Sequence, residues 1–211
     1  ADGVGEWVTT TIAHGKDDKI EILEELNFPH SLGLFYSAFT YYLGFKVNSG
    51  EYKVMGLAPY GNPKYSKLIK ENLISINEDG SFKLNMKYYS FVTDLKMTNK
   101  KFDNLFDKRR REPNEKLENF HFDVAASVQD VLEEILLLIC KKIKKMKISD
   151  NLCLAGGVAL NCVANSKILN SNLFDEIYIQ PAAGDAGGAI GAAQNYLFSE
   201  KKIKRNIEKN R

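Results

Sequence analysis

Two glycine turns near the C-terminal end constrain this chain more than any other feature. Leu152-Cys153-Leu154-Ala155-Gly156-Gly157-Val158-Ala159-Leu160-Asn161 runs a short apolar segment into a glycine pair, and Pro181-Ala182-Ala183-Gly184-Asp185-Ala186-Gly187-Gly188-Ala189 repeats the pattern downstream. Each reads as a buried strand, a tight turn and a small-residue helix. In α/β proteins such turns bring backbone N–H groups and a helix N-terminus up to a phosphate or nucleotide. A single glycine pair after a strand says little, because tight strand-to-helix turns need glycine anyway. Two in tandem can enclose a ligand.

The rest of the chain supplies the frame for these turns. Residues 7–13 are rich in β-branched side chains and residues 20–26 alternate, which predicts a hairpin with its loop at Gly15-Lys16-Asp17-Asp18. Ser31 is the expected N-cap of a helix through Phe45, with Leu34, Phe35, Ala38, Phe39, Tyr42 and Leu43 on its apolar side. The glycines and Pro59 of segment 50–61 are expected to break up any long element. A short helix over 65–73 follows, then a second hairpin turning at Asn77-Glu78-Asp79-Gly80. Residues 94–119 are charged and contain Pro113-Asn114, the pattern of an exposed, variable excursion with short helical pieces. The strongest helix comes next: Val124, Val128, Val131, Ile135, Leu138, Ile139, Ile143 and Met146 recur at helical spacing, and lysines crowd the C-terminal end, where the macrodipole favours cations. The order then becomes strand (152–155), helix (158–169), strand (176–180), helix (185–198), ahead of a charged tail at 200–211. The class is α/β.

Composition narrows the function classes. A formal charge of +2 gives no reason to invoke nucleic acid, and the clusters Lys108-Arg109-Arg110-Arg111 and Lys141 to Lys145 read as solvated helix faces and ends. No apolar run reaches the ~18 residues of a membrane span. Cys140, Cys153 and Cys162 form no C-x-x-C pair, and the apolar context of two of them suggests reduced, buried thiols in a cytoplasmic protein. Cys162, close after the glycine pair, reads as a small packing residue. The chain opens on Ala1-Asp2-Gly3-Val4-Gly5 without an initiator methionine, a turn with no strand ahead of it, as expected of a piece of a longer protein.

Five segments in order resemble the carbamoyltransferase family of antibiotic-tailoring and nodulation-factor enzymes. They are Asp2-Gly3-Val4-Gly5-Glu6-Trp7, residues 29–38 (PHSLGLFYSA), residues 50–61 (GEYKVMGLAPYG), residues 151–165 (NLCLAGGVALNCVAN) and residues 180–193 (QPAAGDAGGAIGAA). The resemblance implies an actin-like ATPase fold, shared with sugar kinases and heat-shock chaperones, of which residues 1–199 would be the second half of the transfer domain. It implies an O-carbamoyltransferase that takes carbamoyl-adenylate, made from ATP and carbamoyl phosphate by a separate C-terminal domain, and passes the carbamoyl group to a hydroxyl of a sugar or other small molecule. An N-terminal part and that adenylate-forming domain would lie outside this chain, leaving the fragment inactive alone. A homodimer is compatible with the sequence.

Site residues follow by the same route. Asp2, of the family's D-G-x-G-E turn, and Asp185, of its G-D-A-G turn, would be ligands of a divalent metal, ferrous iron first and magnesium or manganese as alternatives. Gly3 and Gly5 would let the backbone approach a phosphate. Gly156 and Gly157 would pass close to the adenosine, with Asn161 and Asn165 as hydrogen-bonding neighbours. Gly184, Gly187 and Gly188 would shape the second turn, and Lys53 would meet phosphate or carbamoyl oxygen as a catalytic group. Read without the family, Asp2 is a turn aspartate, Asp185 a helix N-cap and Lys53 a surface lysine. His14, His30 and His121 are not at ligand spacing, and relatives take two metal histidines from an H-x-x-x-H motif upstream of the D-G-x-G-E turn. Two other readings of the same fold are a nucleotide-binding actin-like module without catalysis and a tRNA-threonylcarbamoyl-type transferase. Against the latter stand the segment around Pro59-Tyr60-Gly61 and the lack of a basic groove.

Overall fold

The computed structural model describes residues 1–204, a mixed α/β fold. Strands β1 (Val8–Lys16) and β2 (Lys19–Asn27) pair antiparallel, with Lys16 opposite Lys19. The connection is therefore the two residues Asp17-Asp18, tighter than the loop expected at 15–18, and Asp17 takes the left-handed conformation (φ 56) such turns demand. Helix α1 (Leu32–Tyr42) starts as the sequence predicts: the Ser31 hydroxyl accepts the Leu34 N–H at 3.0 Å. It stops three residues before Phe45. Gly44 adopts φ +77, and its N–H and that of Phe45 turn back to the carbonyls of Tyr41 (2.9 Å) and Thr40 (3.0 Å), the Schellman closure of a helix.

Segment 50–61 is more regular than its glycines suggest. It forms α2 (Glu51–Leu57), prolonged by a 3-10 turn at Ala58–Tyr60. Next come α3 (Ser66–Asn72) and the hairpin of β3 (Ile74–Ile76) and β4 (Phe82–Leu84), which turns at 77–80 with Gly80 at φ +80. Beyond α4 (Lys100–Leu105), the long helix α5 (Asn119–Lys145) runs through the centre, with α1, α2, α3 and, further along the chain, α6 (Cys162–Asn170) packed against it. Strands β5 (Asn151–Leu154) and β6 (Glu176–Ile179) are parallel and joined by α6 (Cys162–Asn170), a crossover that only a helix-length connection permits. The chain then enters α7 (Gly187–Asn195).

The charged stretch 94–119 is not an exposed excursion throughout. Phe102 and Phe106 are buried in an aromatic cluster with Phe39, Tyr42, Tyr65 and Phe120, and Arg111 is buried as well. The cysteine expectation also needs correction. Cys140 is buried, and burial pushes its thiol up to about 12, but Cys153 and Cys162 are exposed. Cys153 lies on the open face of β5 and Cys162 at the exposed start of α6. Among the described residues no helix is long and apolar enough to cross a membrane. The charged tail expected at 200–211 lies partly outside the described residues.

Candidate functional site

The start of the chain and the two glycine turns converge. The Ala1 amino group donates to the Ala155 carbonyl at 3.0 Å, and the Val158 N–H donates to the Ala1 carbonyl at 3.2 Å. On the other side, the Gly156 N–H donates to the Ala183 carbonyl at 2.7 Å. The first glycine turn is thus clamped between the D-G-V-G-E segment and the second glycine turn. Gly156 sits at φ +94, and a Cβ there would fall 2.1 Å from the Ala1 carbonyl oxygen. Both facts require glycine.

The Asp2 backbone is held from two further elements. Its N–H donates to the Thr9 carbonyl of β1 (2.9 Å), while its own carbonyl accepts the Ser31 hydroxyl (2.9 Å) and the Gly33 N–H (3.2 Å) at the start of α1. A Cβ on Gly33 would lie 2.5 Å from the Gly3 nitrogen, so this contact too depends on the absent side chain. The Asp2 carboxylate accepts the Gly3 N–H at 2.7 Å and reaches Gly157, where an added Cβ would meet its Oδ1 at 2.8 Å. Gly184 approaches the same residue, since its Cβ would be 3.9 Å from the Gly157 Cα. The structure therefore brings Asp2, Gly3, Gly156, Gly157 and Gly184 to one place. Around Gly3 a Cβ would find nothing within 4 Å. That side is open.

The other sequence-predicted residues are distributed less tightly. Gly5 shapes the turn into β1 through its N–H to the Val8 carbonyl (2.9 Å). Gly187 permits the second turn, because a Cβ would fall 2.3 Å from the Ala182 carbonyl oxygen. Asp185 is exposed and follows Gly184 directly. It is not a cap: α7 begins at Gly187 after Ala186, and no side chain caps it. Lys53 is exposed on α2 with its ammonium over the Phe45 (5.8 Å) and Tyr52 (5.9 Å) rings, contacts away from the glycine turns. The Asn165 amide donates to the Ala159 carbonyl at 2.7 Å.

Asn161 is committed to holding the first turn in place. Its Oδ1 accepts the Ala164 N–H (3.0 Å), capping α6, and the Gln129 amide (3.0 Å), while its Nδ2 donates to Gln129 Oε1 (2.9 Å). Gln129 also accepts the Tyr36 hydroxyl (2.9 Å) and donates to Glu133 (2.7 Å), and Glu133 pairs with Lys167 at 2.7 Å. Burial holds the Tyr36 hydroxyl far above the ordinary tyrosine value, so it stays a donor. Sequence reading missed Gln129, Glu133, Tyr36 and Gly33; only Gly33, a glycine inside the first turn of a helix, left a local signal. Replacing Gln129 by leucine strips three buried polar side chains of a partner. The expected cost is about 2–4 kcal/mol, read from urea unfolding. A change near zero would mean that water replaces Gln129 and that Asn161 is not fixed by it.

The histidines lie apart. His14 is on β1, while His30 Nδ1 accepts the Leu84 N–H (3.2 Å) and His121 Nδ1 the Glu118 N–H (2.9 Å). Among the described residues no group of three or more His, Cys, Asp or Glu is placed to hold a metal. Asp2 and Asp185 are fewer donors than a hard divalent cation takes.

Residues 1–194 match the family model described as Carbamoyltransferase N-terminus. An uncharacterized protein of Synechocystis sp. is 54% identical over 97% of this chain and 34% of its own length. Nodulation protein NolO of Bradyrhizobium diazoefficiens is 37% identical over 91% of the chain and 33% of its own length. For nodulation protein NolNO of Sinorhizobium fredii the figures are 34%, 91% and 26%. The chain thus spans between 26% and 34% of the length of these curated relatives. Both glycine turns and the D-G-V-G-E segment fall inside the matched residues, and the chain belongs to the carbamoyltransferase N-terminal family.

Proposed function

We propose that this chain is part of the transfer lobe of an O-carbamoyltransferase with an actin-like ATPase architecture, and that the converging glycine turns hold the adenylate of carbamoyl-adenylate. The observation that carries this reading is the meeting of Asp2-Gly3, Gly156-Gly157 and Gly184 at Gly157. Supporting it, the N–H groups of Gly157, Asp185 and Ala186 donate to no acceptor among the described residues. Two of these donors precede α7 and the third stands in the first glycine turn, and free N–H groups so placed suit a phosphate.

The transfer itself is an acyl substitution. The acceptor hydroxyl oxygen bonds to the carbamoyl carbon, the bond from that carbon to the AMP phosphate oxygen breaks, and the hydroxyl proton leaves to a base. Backbone N–H groups of the two turns would neutralise charge gathering on the departing AMP, with little reorganisation where the turns are already held by their hydrogen bonds. Gln129, through Asn161, would hold the first turn at its distance. The donor set of the described residues does not complete a metal centre, and no step is assigned to an ion.

The test is a thermal-unfolding titration with ATP and AMP. A ligand at ~100 times its dissociation constant stabilises by roughly 2.7 kcal/mol, which raises the midpoint of a domain this size by about 5–11 °C. The shift should vanish in Gly157→Val, whose side chain would occupy the space beside Asp2. No shift with either nucleotide, here and in the full-length protein, would refute the adenosine site.

A further inference from the structure

A polar cavity lies in the segment leading into α5, on residues that the proposed transfer site does not use. It has a volume of about 170 Å³ and is lined by Lys108, Arg109, Arg111, Glu115, Lys116, Glu118 and His121. Its charges do not cancel. Lys108 pairs with Glu118 and Arg109 with Glu115, which consumes both carboxylates. Arg111 is 6% exposed, and its guanidinium bonds only carbonyl oxygens, those of Leu43 (2.6 Å), Gly44 (3.4 Å), Pro113 (3.2 Å) and Glu115. Lys116 is exposed and forms no ion pair among the described residues. Among the lining residues two positive charges, Arg111 and Lys116, therefore exceed the carboxylates, with Glu115 close enough to Arg111 to offset part of its charge.

One lining residue offers an unpartnered ring nitrogen. His121 is 3% exposed, and its Nδ1 accepts the Glu118 N–H at 2.9 Å. That bond fixes the tautomer, so Nε2 carries the proton of the neutral ring, and it has no partner among the described residues. Burial, with Lys108 next, holds the ring below the ordinary histidine value, so the neutral form persists at neutral pH. His121 stands in the first turn of the 27-residue helix α5, whose N-terminus the Glu118 carboxylate already caps, so the ring rather than the helix end is the donor offered to a ligand.

We propose that this cavity binds a small phosphoryl oxyanion, either inorganic phosphate or the phosphate of a monoester, through the His121 Nε2–H and Lys116 in the field of Arg111. The phosphate oxygens would accept from both groups and add to the negative charge that Glu115 already sets near the guanidinium.

The experiment follows the His121 ring nitrogens by NMR while inorganic phosphate, and separately glycerol phosphate, is titrated into the full chain at constant ionic strength set with chloride. A saturating shift of the His121 signals with inorganic phosphate alone assigns the site to free phosphate; a shift with both assigns it to the phosphoryl group in general. Lys116→Glu, a surface change that leaves the fold intact, should weaken the binding about tenfold, since it removes a charge-assisted hydrogen bond and adds a like charge. Unmoved His121 signals, a shift that chloride alone reproduces, or an affinity unchanged in Lys116→Glu would each overturn the proposal.

Discussion

Truncating Phe102 to alanine is expected to remove about 3–5 kcal/mol of folding stability, a large share of what a domain of this kind possesses. Phe102 is fully buried. Its ring meets Tyr42 at 5.0 Å, Phe39 at 5.2 Å, Phe106 at 5.4 Å and Tyr89 at 6.1 Å. Those partners come from α1, from the chain after β4 and from the end of α4, and each is itself pinned by other contacts. Tyr42, for example, donates its hydroxyl to the Lys108 carbonyl at 2.6 Å. The hole left by the ring cannot be filled by a small shift of one neighbour, and the cost grows with the residual volume. Leu95 provides the control, since it lies in the same charged stretch and is fully exposed. Leu95→Ala should leave the urea midpoint where it was. If Phe102→Ala behaved like Leu95→Ala, α4 would not be part of the core.

That contrast shows where sequence reading succeeds and fails. Helix α5 is legible because its apolar residues recur every third or fourth position over a long run, and the Ser31 cap because it acts on a backbone N–H three residues away. Phe102 and Phe106 have the same helical spacing, but Lys100, Lys101, Asp103, Lys108, Arg109 and Arg110 surround them, so average polarity masks the pair. The exposure of Cys153 and Cys162 was hidden for the opposite reason, apolar sequence neighbours around side chains that the fold leaves exposed. At the site, the glycine turns were visible as punctuation. Their meeting with Asp2 was not, because it joins residues more than 150 positions apart, as the bond from Ala1 to Ala155 does. Gln129 and Asn161 are 32 positions apart and belong to different elements. No local pattern predicts such a pair, and the resemblance pointed to Asn161 without indicating what fixes it.

Gly156→Ala is expected to abolish the nucleotide-induced rise in unfolding midpoint while lowering stability by only about 1–3 kcal/mol. Two independent reasons converge on this residue. At φ +94 any L side chain is strained, whatever the space around it. The new Cβ would also lie 2.1 Å from the Ala1 carbonyl oxygen, a distance no real contact adopts, so one side must give. The rigid side is β5, paired to β6 and continued into the buried Val158 and Ala159. What gives is the Ala1-Asp2 segment, held there by the Ala1 to Ala155 and Val158 to Ala1 hydrogen bonds. Moving it carries the Asp2 carboxylate away from Gly157 and opens the enclosure that the three turns make, while the core around α5 is untouched. Gly3→Ala separates the steric from the functional effect. Gly3 does not have positive φ, and a Cβ there meets nothing within 4 Å, so stability should not change. If the open space beside Gly3 is where the phosphate lies, nucleotide binding should still weaken. A full nucleotide shift retained in Gly156→Ala would mean that the adenylate does not depend on this convergence, and the turns would then be a packing device of the fold.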